Sequence, residues 1–78
     1  MTGAADTVKS FIARALKIDE SAVHESLQLG AIPQWDSFGH INLMMALEAE
    51  YGVPITEQTV LQHVSYAAIA ASLAALKR

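Results

Sequence analysis

Asp36-Ser37-Phe38-Gly39-His40-Ile41-Asn42-Leu43-Met44-Met45-Ala46-Leu47-Glu48-Ala49-Glu50-Tyr51-Gly52 reads as one helix with both of its ends marked. Asp36 carries a short acceptor suited to an N-cap, the residues after it repeat apolar side chains at helical spacing, and Gly52 is a C-terminal stop. Ser37 then falls in the first turn, exposed and easy to reach. The first-turn amides have no intrahelical partners and the helix dipole is positive there, so an anion on this hydroxyl would be favoured by about 0.3–1 kcal/mol. A phosphate ester suits such a position.

The same helix carries more apolar surface than one core contact needs. Leu43, Met44, Leu47 and Tyr51 form one stripe, while Phe38, Ile41 and Met45 form a second, rotated away and beginning beside Ser37. One stripe faces a core. The other is either covered by neighbouring chain or left as a patch for partners, and partial exposure is the expectation.

Upstream, Val8, Phe11, Ile12, Ala15 and Leu16 follow the i, i+3, i+4 pattern, predicting a first helix capped by Asp6 or Thr7 and running to about Lys17. Lys9, Arg14 and Lys17 fall on its wet side, and Met1 to Ala5 reads as a frayed end. Between Ile18 and Trp35 the chain is too long for an ordinary helix connection and too apolar for a free linker. It is expected to pack through Ile18, Val23, Leu27, Leu29 and Ile32, with one short turn over Asp19 to Val23 and bends at Gly30 and Pro33. Pro33 keeps Ile32 extended, which delivers Trp35 and Asp36 to the next helix start. Trp35 reads as a core residue or a staple against the first helical turn.

Downstream, Val53-Pro54-Ile55 is a short extended link and Thr56-Glu57-Gln58 starts another turn, with apolar contacts expected from Val60, Leu61 and Val64. Ser65 caps a last helix, Tyr66 to Leu76, whose buried stripe is Tyr66, Ile69, Leu73 and Leu76. Lys77 and Arg78 close it with the charge sign that the dipole prefers. The sum is an all-α fold, a single domain over residues 1–78 made of three main helices and one or two short ones, with a long first loop.

Composition agrees. Hydrophobic residues make up 53% of the 78 and aromatics only 6%, which favours small, closely packed helices over a sheet. A chain this short has no room for a deep active-site cleft. With a net charge of −3 and five scattered Lys and Arg, it is no candidate for nucleic-acid binding, and its partners are expected to be basic. It has no cysteine for a disulfide, a thiolate nucleophile or a metal site, no signal peptide, and no apolar run long enough to span a bilayer. These features predict a soluble, cytoplasmic monomer. His24, His40 and His63 show no metal-site spacing and are expected at the surface or in loops.

The segment from Trp35 to Tyr51, followed by Gly52-Val53-Pro54-Ile55, resembles the second helix of the acyl carrier proteins, in which an Asp-Ser-Leu signature marks a modified serine. Here the signature reads Asp36-Ser37-Phe38. The chain length, the spacing of the flanking helices and Ala46-Leu47-Glu48 extend the similarity over most of the chain. The resemblance implies a carrier with no catalysis of its own, in which 4′-phosphopantetheine from coenzyme A is joined to Ser37 and an acyl or aminoacyl group rides on the arm's thiol as a thioester. It implies a phosphopantetheinyl transferase, a loading ligase for the acyl or aminoacyl group, and a downstream acyltransferase or synthase as partners. It also gives Asp36 a second role during modification, beside capping, in holding a metal ion or a basic side chain of the transferase.

Phe38, Ile41 and Met45 are candidate partner contacts, Met45 through its adaptable side chain. Glu48, with Glu50 and Glu57, is a candidate to meet basic patches on partner enzymes. Gly39 and Asn42 stand where fatty-acid carriers often have acidic residues, which points to a specialised carrier, of acyl or aminoacyl type, over a housekeeping one. Cargo is expected either in solvent or between the helices, against Met44, Leu47, Ile55 and Ile69.

Two other classes compete. A hydrolase would use Ser37 with His40, three residues on and so on neighbouring surface, but no orienting partner or oxyanion site accompanies them. A helical interaction module would share the amphipathic helices and acidic surface and carry no arm.

Overall fold

A computed structural model describes the backbone of residues 4–76 and the side chains of residues 8–75. The described chain is all helical apart from loops: α1 (Ala4–Leu16), a 3-10 turn at Glu20–Ala22, α2 (Ser37–Tyr51), α3 (Glu57–Gln62) and α4 (Tyr66–Leu76). The shortest dimension, 19 Å, is about two helix diameters, so the bundle is two layers thick with one shared core. α1 lies against both α2 and α4, whereas α3 touches α2 only lightly. No helix among the described residues is long and apolar enough to cross a membrane.

α1 starts earlier than expected and ends about where expected. It starts at Ala4, ahead of Asp6 and Thr7, so neither residue is its N-cap; their side chains, that of Leu76, and residues Met1 to Gly3, Lys77 and Arg78 lie outside what is described. Its C-terminal end comes at Leu16, because Lys17 turns into the left-handed region with φ 60° and the Ile18 amide closes back on the Ala13 carbonyl at 3.0 Å. That closure normally falls to glycine, and a lysine backbone there is strained. At the end of α2, Gly52 takes the same conformation, φ 72°, without strain, and its N–H reaches the Glu48 carbonyl at 3.0 Å.

The core is built from the expected stripes. Val8, Phe11, Ile12, Ala13 and Leu16 of α1 meet Leu43, Met44 and Leu47 of α2 and Tyr66, Ile69 and Leu73 of α4. Phe11 also meets Tyr51 edge-to-face, centroids 5.6 Å apart, tying the middle of α1 to the last turn of α2.

The long loop is anchored in two places. Val23, Leu27 and Trp35 are buried, Ile18 and Ile32 half-buried, and Leu29, expected as an anchor, is exposed instead. Around Leu27 the backbone pairs with the joint between α3 and α4: Leu29 N–H to Val64 O at 2.8 Å and Tyr66 N–H to Leu27 O at 2.8 Å. Just before α2 the loop closes on itself, through Gly30 N–H to Trp35 O at 2.8 Å and Trp35 N–H to Ile32 O at 3.1 Å. The serine-bearing turn is thereby held in a fixed place relative to α1 and α4.

α3 begins at Thr56 with a capping box in which Thr59 takes the place usually held by Glu or Gln. Leu61, read as a core contact, is exposed, and the neighbouring Val60 is the α3 residue that packs against the core. The Ser65 hydroxyl caps α4, accepting from the Ala68 amide at 3.1 Å.

Candidate functional site at the start of α2

The first turn of α2 is organised by the cap expected of Asp36. Its backbone is extended, its carboxylate accepts from the Gly39 amide at 2.9 Å, and its own carbonyl accepts from the His40 amide at 2.8 Å. The amides of Ser37 and Phe38 have no intramolecular partner among the described residues, and Ser37 itself is exposed. A nucleophilic oxygen therefore stands at the positive end of a fifteen-residue helix beside two free N–H donors.

Gly39 shows why this turn has its particular sequence. A Cβ at this position would collide with the backbone carbonyl of Gln34, so the loop backbone can pass this close to the helix only beside a glycine. Glycine at position 39 thus has a packing reason. Asn42 is exposed.

The second apolar stripe is uncovered. Phe38 is 80% exposed, Ile41 55% and Met45 50%, so these side chains do not seal the long loop. The strip begins next to Ser37, and Leu61 of α3, 69% exposed, is a further large apolar side chain at the surface. Glu48 and Glu57 are exposed. Glu50 is already engaged: the Arg14 guanidinium donates to both of its carboxylate oxygens, at 2.9 and 3.2 Å, joining α1 to α2. Those hydrogen bonds, and then the Glu50 charge, raise the Arg14 pKa above its ordinary value. Both side chains are largely in water, and the pair adds little to stability.

Two of the three histidines are placed against expectation. His24 is exposed, but His40 and His63 are each buried to 4% exposure. His40 lies on the core face with Leu43, Met44, Leu47 and Tyr51, a relation that its spacing of three, four, seven and eleven residues would have revealed. Its Nδ1 receives the Trp35 indole N–H at 3.0 Å, and its Nε2 lies 2.8 Å from the Val60 carbonyl. An indole nitrogen only donates and a carbonyl only accepts, so the imidazole is neutral with its proton on Nε2. Trp35, at N′, and His40, at N4, occupy the two positions of a hydrophobic staple, here with a hydrogen bond between them.

With both ring nitrogens occupied, His40 is not available as a base for Ser37. His63 bridges the Thr59 carbonyl (2.7 Å) and the Ser72 hydroxyl (3.0 Å); nothing local in the sequence signals the contact across nine residues.

No family model matches this chain, and no curated protein does. The site is therefore read from its own geometry. Among the described residues no three His, Asp or Glu side chains stand together as a metal site would need. Met44, Leu47 and Ile69 are fully buried while Ile55 is exposed, so the four candidate cargo contacts do not share one environment. An open depression lies instead between the end of α1 and the loop, lined by Lys17, Ile18, Asp19, Ser21, Ile32 and Gln34.

Proposed function

We propose that this chain is a carrier protein of the acyl-carrier type, with 4′-phosphopantetheine borne on the Ser37 oxygen. The observation that carries the reading is the exposed Ser37 hydroxyl at the first position of α2, directly after a capping aspartate. The turn fits the group in charge as well, since a phosphodiester on Oγ would stand near the free Ser37 and Phe38 amides at the positive helix end. The arm supplies a thiol that holds an acyl or aminoacyl group as a thioester; the protein supplies its position and a surface for recognition.

The uncovered Phe38, Ile41 and Met45 strip, with Glu48 on the same helix, serves as that surface for a phosphopantetheinyl transferase, a loading ligase and a downstream acyltransferase or synthase. Asp36 both caps the helix and assists modification. The carrier is a monomer without catalysis of its own, working in the cytoplasm where coenzyme A is made. The packing demand at Gly39 supplies a structural cause for one departure from fatty-acid carriers, and the uncharged Asn42 still favours a specialised acyl or aminoacyl carrier.

The test is chemical. Incubation with coenzyme A and a broad-specificity phosphopantetheinyl transferase, followed by intact mass measurement, is expected to add one arm to the native chain and none to Ser37→Ala. If the native chain gains no mass, the exposed strip belongs to a helical interaction module with no arm; if Ser37→Ala gains as much, the arm is not on Ser37 and the assignment of the site fails.

A further inference from the structure

We propose that His40 is an acid-released latch joining the start of α2, the end of the long loop and α3. α3 needs such a tie. It is six residues long, has no fully buried residue, and leaves Thr59 and Val60 half-buried and the rest exposed. A helix of this length is not stable alone in water. Two of its last four carbonyls, which lack helical partners, are taken by imidazole N–H groups: Val60 O by His40 and Thr59 O by His63.

The two imidazoles respond differently to a proton. His63 keeps its proton on Nδ1, facing the Thr59 carbonyl, and its Nε2 faces the Ser72 hydroxyl. A hydroxyl rotates and accepts as readily as it donates, so a charged His63 keeps both bonds. His40 has no such freedom. A second proton would sit on Nδ1, 3.0 Å from the Trp35 indole nitrogen, and the indole cannot accept. Two donors would then face each other in a buried place.

Among the described residues nothing offsets that charge. Neither imidazole has a carboxylate within ion-pair distance among the described residues. On α2, Asp36 is exposed and spent on the Gly39 amide, Glu48 is exposed, and Glu50 is held by Arg14. On α3, Glu57 is exposed in the first turn and makes no ion pair with either imidazole; α4 has no charged residue among those described, with Tyr66 buried at its start. On α1, Lys9 is half-buried and Lys17 exposed, and the acidic Asp19, Glu20 and Glu25 of the loop are exposed. Acid must therefore expel His40 from between Trp35 and Val60. That frees α3 and the loop end beside Ser37, while the α1, α2 and α4 core keeps its contacts. The latch stands whether or not Ser37 is modified.

Nuclear magnetic resonance of the 15N-labelled full chain tests this. At neutral pH, His40 is expected to carry its proton on Nε2 and His63 on Nδ1. As pH falls, the Trp35 indole N–H and the Val60, Leu61 and Gln62 amides should lose protection, measured against the exchange rate of the unfolded chain at the same pH. One proton sets the limit, up to about tenfold per pH unit. Amides within α1 and α4 should keep their protection, and in His40→Gln the acid response should vanish. The proposal is overturned if His40 carries its proton on Nδ1 at neutral pH, if it takes up a second proton while the indole N–H stays protected, if the whole bundle opens in one step with α3, or if His40→Gln responds to acid as the native chain does. Should His40→Gln fail to fold, the native tautomer and the native acid titration decide alone.

Discussion

Replacing Gly39 with alanine should destabilise the fold, although glycine to alanine in a helix is ordinarily a gain. The ordinary gain is up to about 1 kcal/mol from helix propensity. Against it stands a Cβ forced into the Gln34 carbonyl, which is backbone and cannot swing aside as a flexible side chain would. The loop around it is held by the Gly30 to Trp35 and Trp35 to Ile32 hydrogen bonds and by a fully buried Trp35. Overpacking of this kind costs about 1–3 kcal/mol, with the upper end favoured where the obstacle is fixed. The net loss should be about 1–2 kcal/mol, a fall of roughly 4–16 °C in Tm for a domain of this size. Urea unfolding followed by circular dichroism measures it, with Asn42→Ala as the control, since that exposed site receives only the propensity gain. A Gly39→Ala chain as stable as the native one, or stabilised in step with Asn42→Ala, would refute the claim that loop and helix meet through this glycine.

Lys17→Gly should raise stability by about 0.5–1 kcal/mol, because it removes the left-handed strain at φ 60° and gives back part of that gain as chain entropy; an unchanged or lower melting temperature would count against the strain. Trp35→Phe keeps most of the buried ring but leaves Nδ1 of His40 without its donor, so a loss of about 1–3 kcal/mol is expected in denaturant melts, and a change below about 0.5 would mean the hydrogen bond is dispensable. Phe38→Ala should leave stability within about 0.5 kcal/mol, its ring being 80% exposed, yet slow arm transfer severalfold under limiting transferase; equal rates would remove Phe38 from the recognition surface.

What could be read along the chain was whatever depends on neighbours within about one helical turn. Asp36 capping its own third amide, Gly52 turning left-handed, Thr56 and Ser65 opening helices, and the two apolar stripes of α2 all follow from side-chain chemistry at short spacing, and all stand in the structure. The all-α character and the position of Ser37 in a first turn come with them. The rest was settled only when the segments packed together. Which stripe of α2 is covered was decided chiefly by α1, which packs against one side of it and leaves Phe38, Ile41 and Met45 in solvent. Gly39 is explained by the passing Gln34 carbonyl, and Glu50 by Arg14, thirty-six residues away. His40 and His63 show the limit most clearly: an imidazole enters a core only where both ring nitrogens find partners, and while Trp35 and Thr59 lie close in the chain, Val60 for His40 and Ser72 for His63 are brought to the right distances only by the packed bundle.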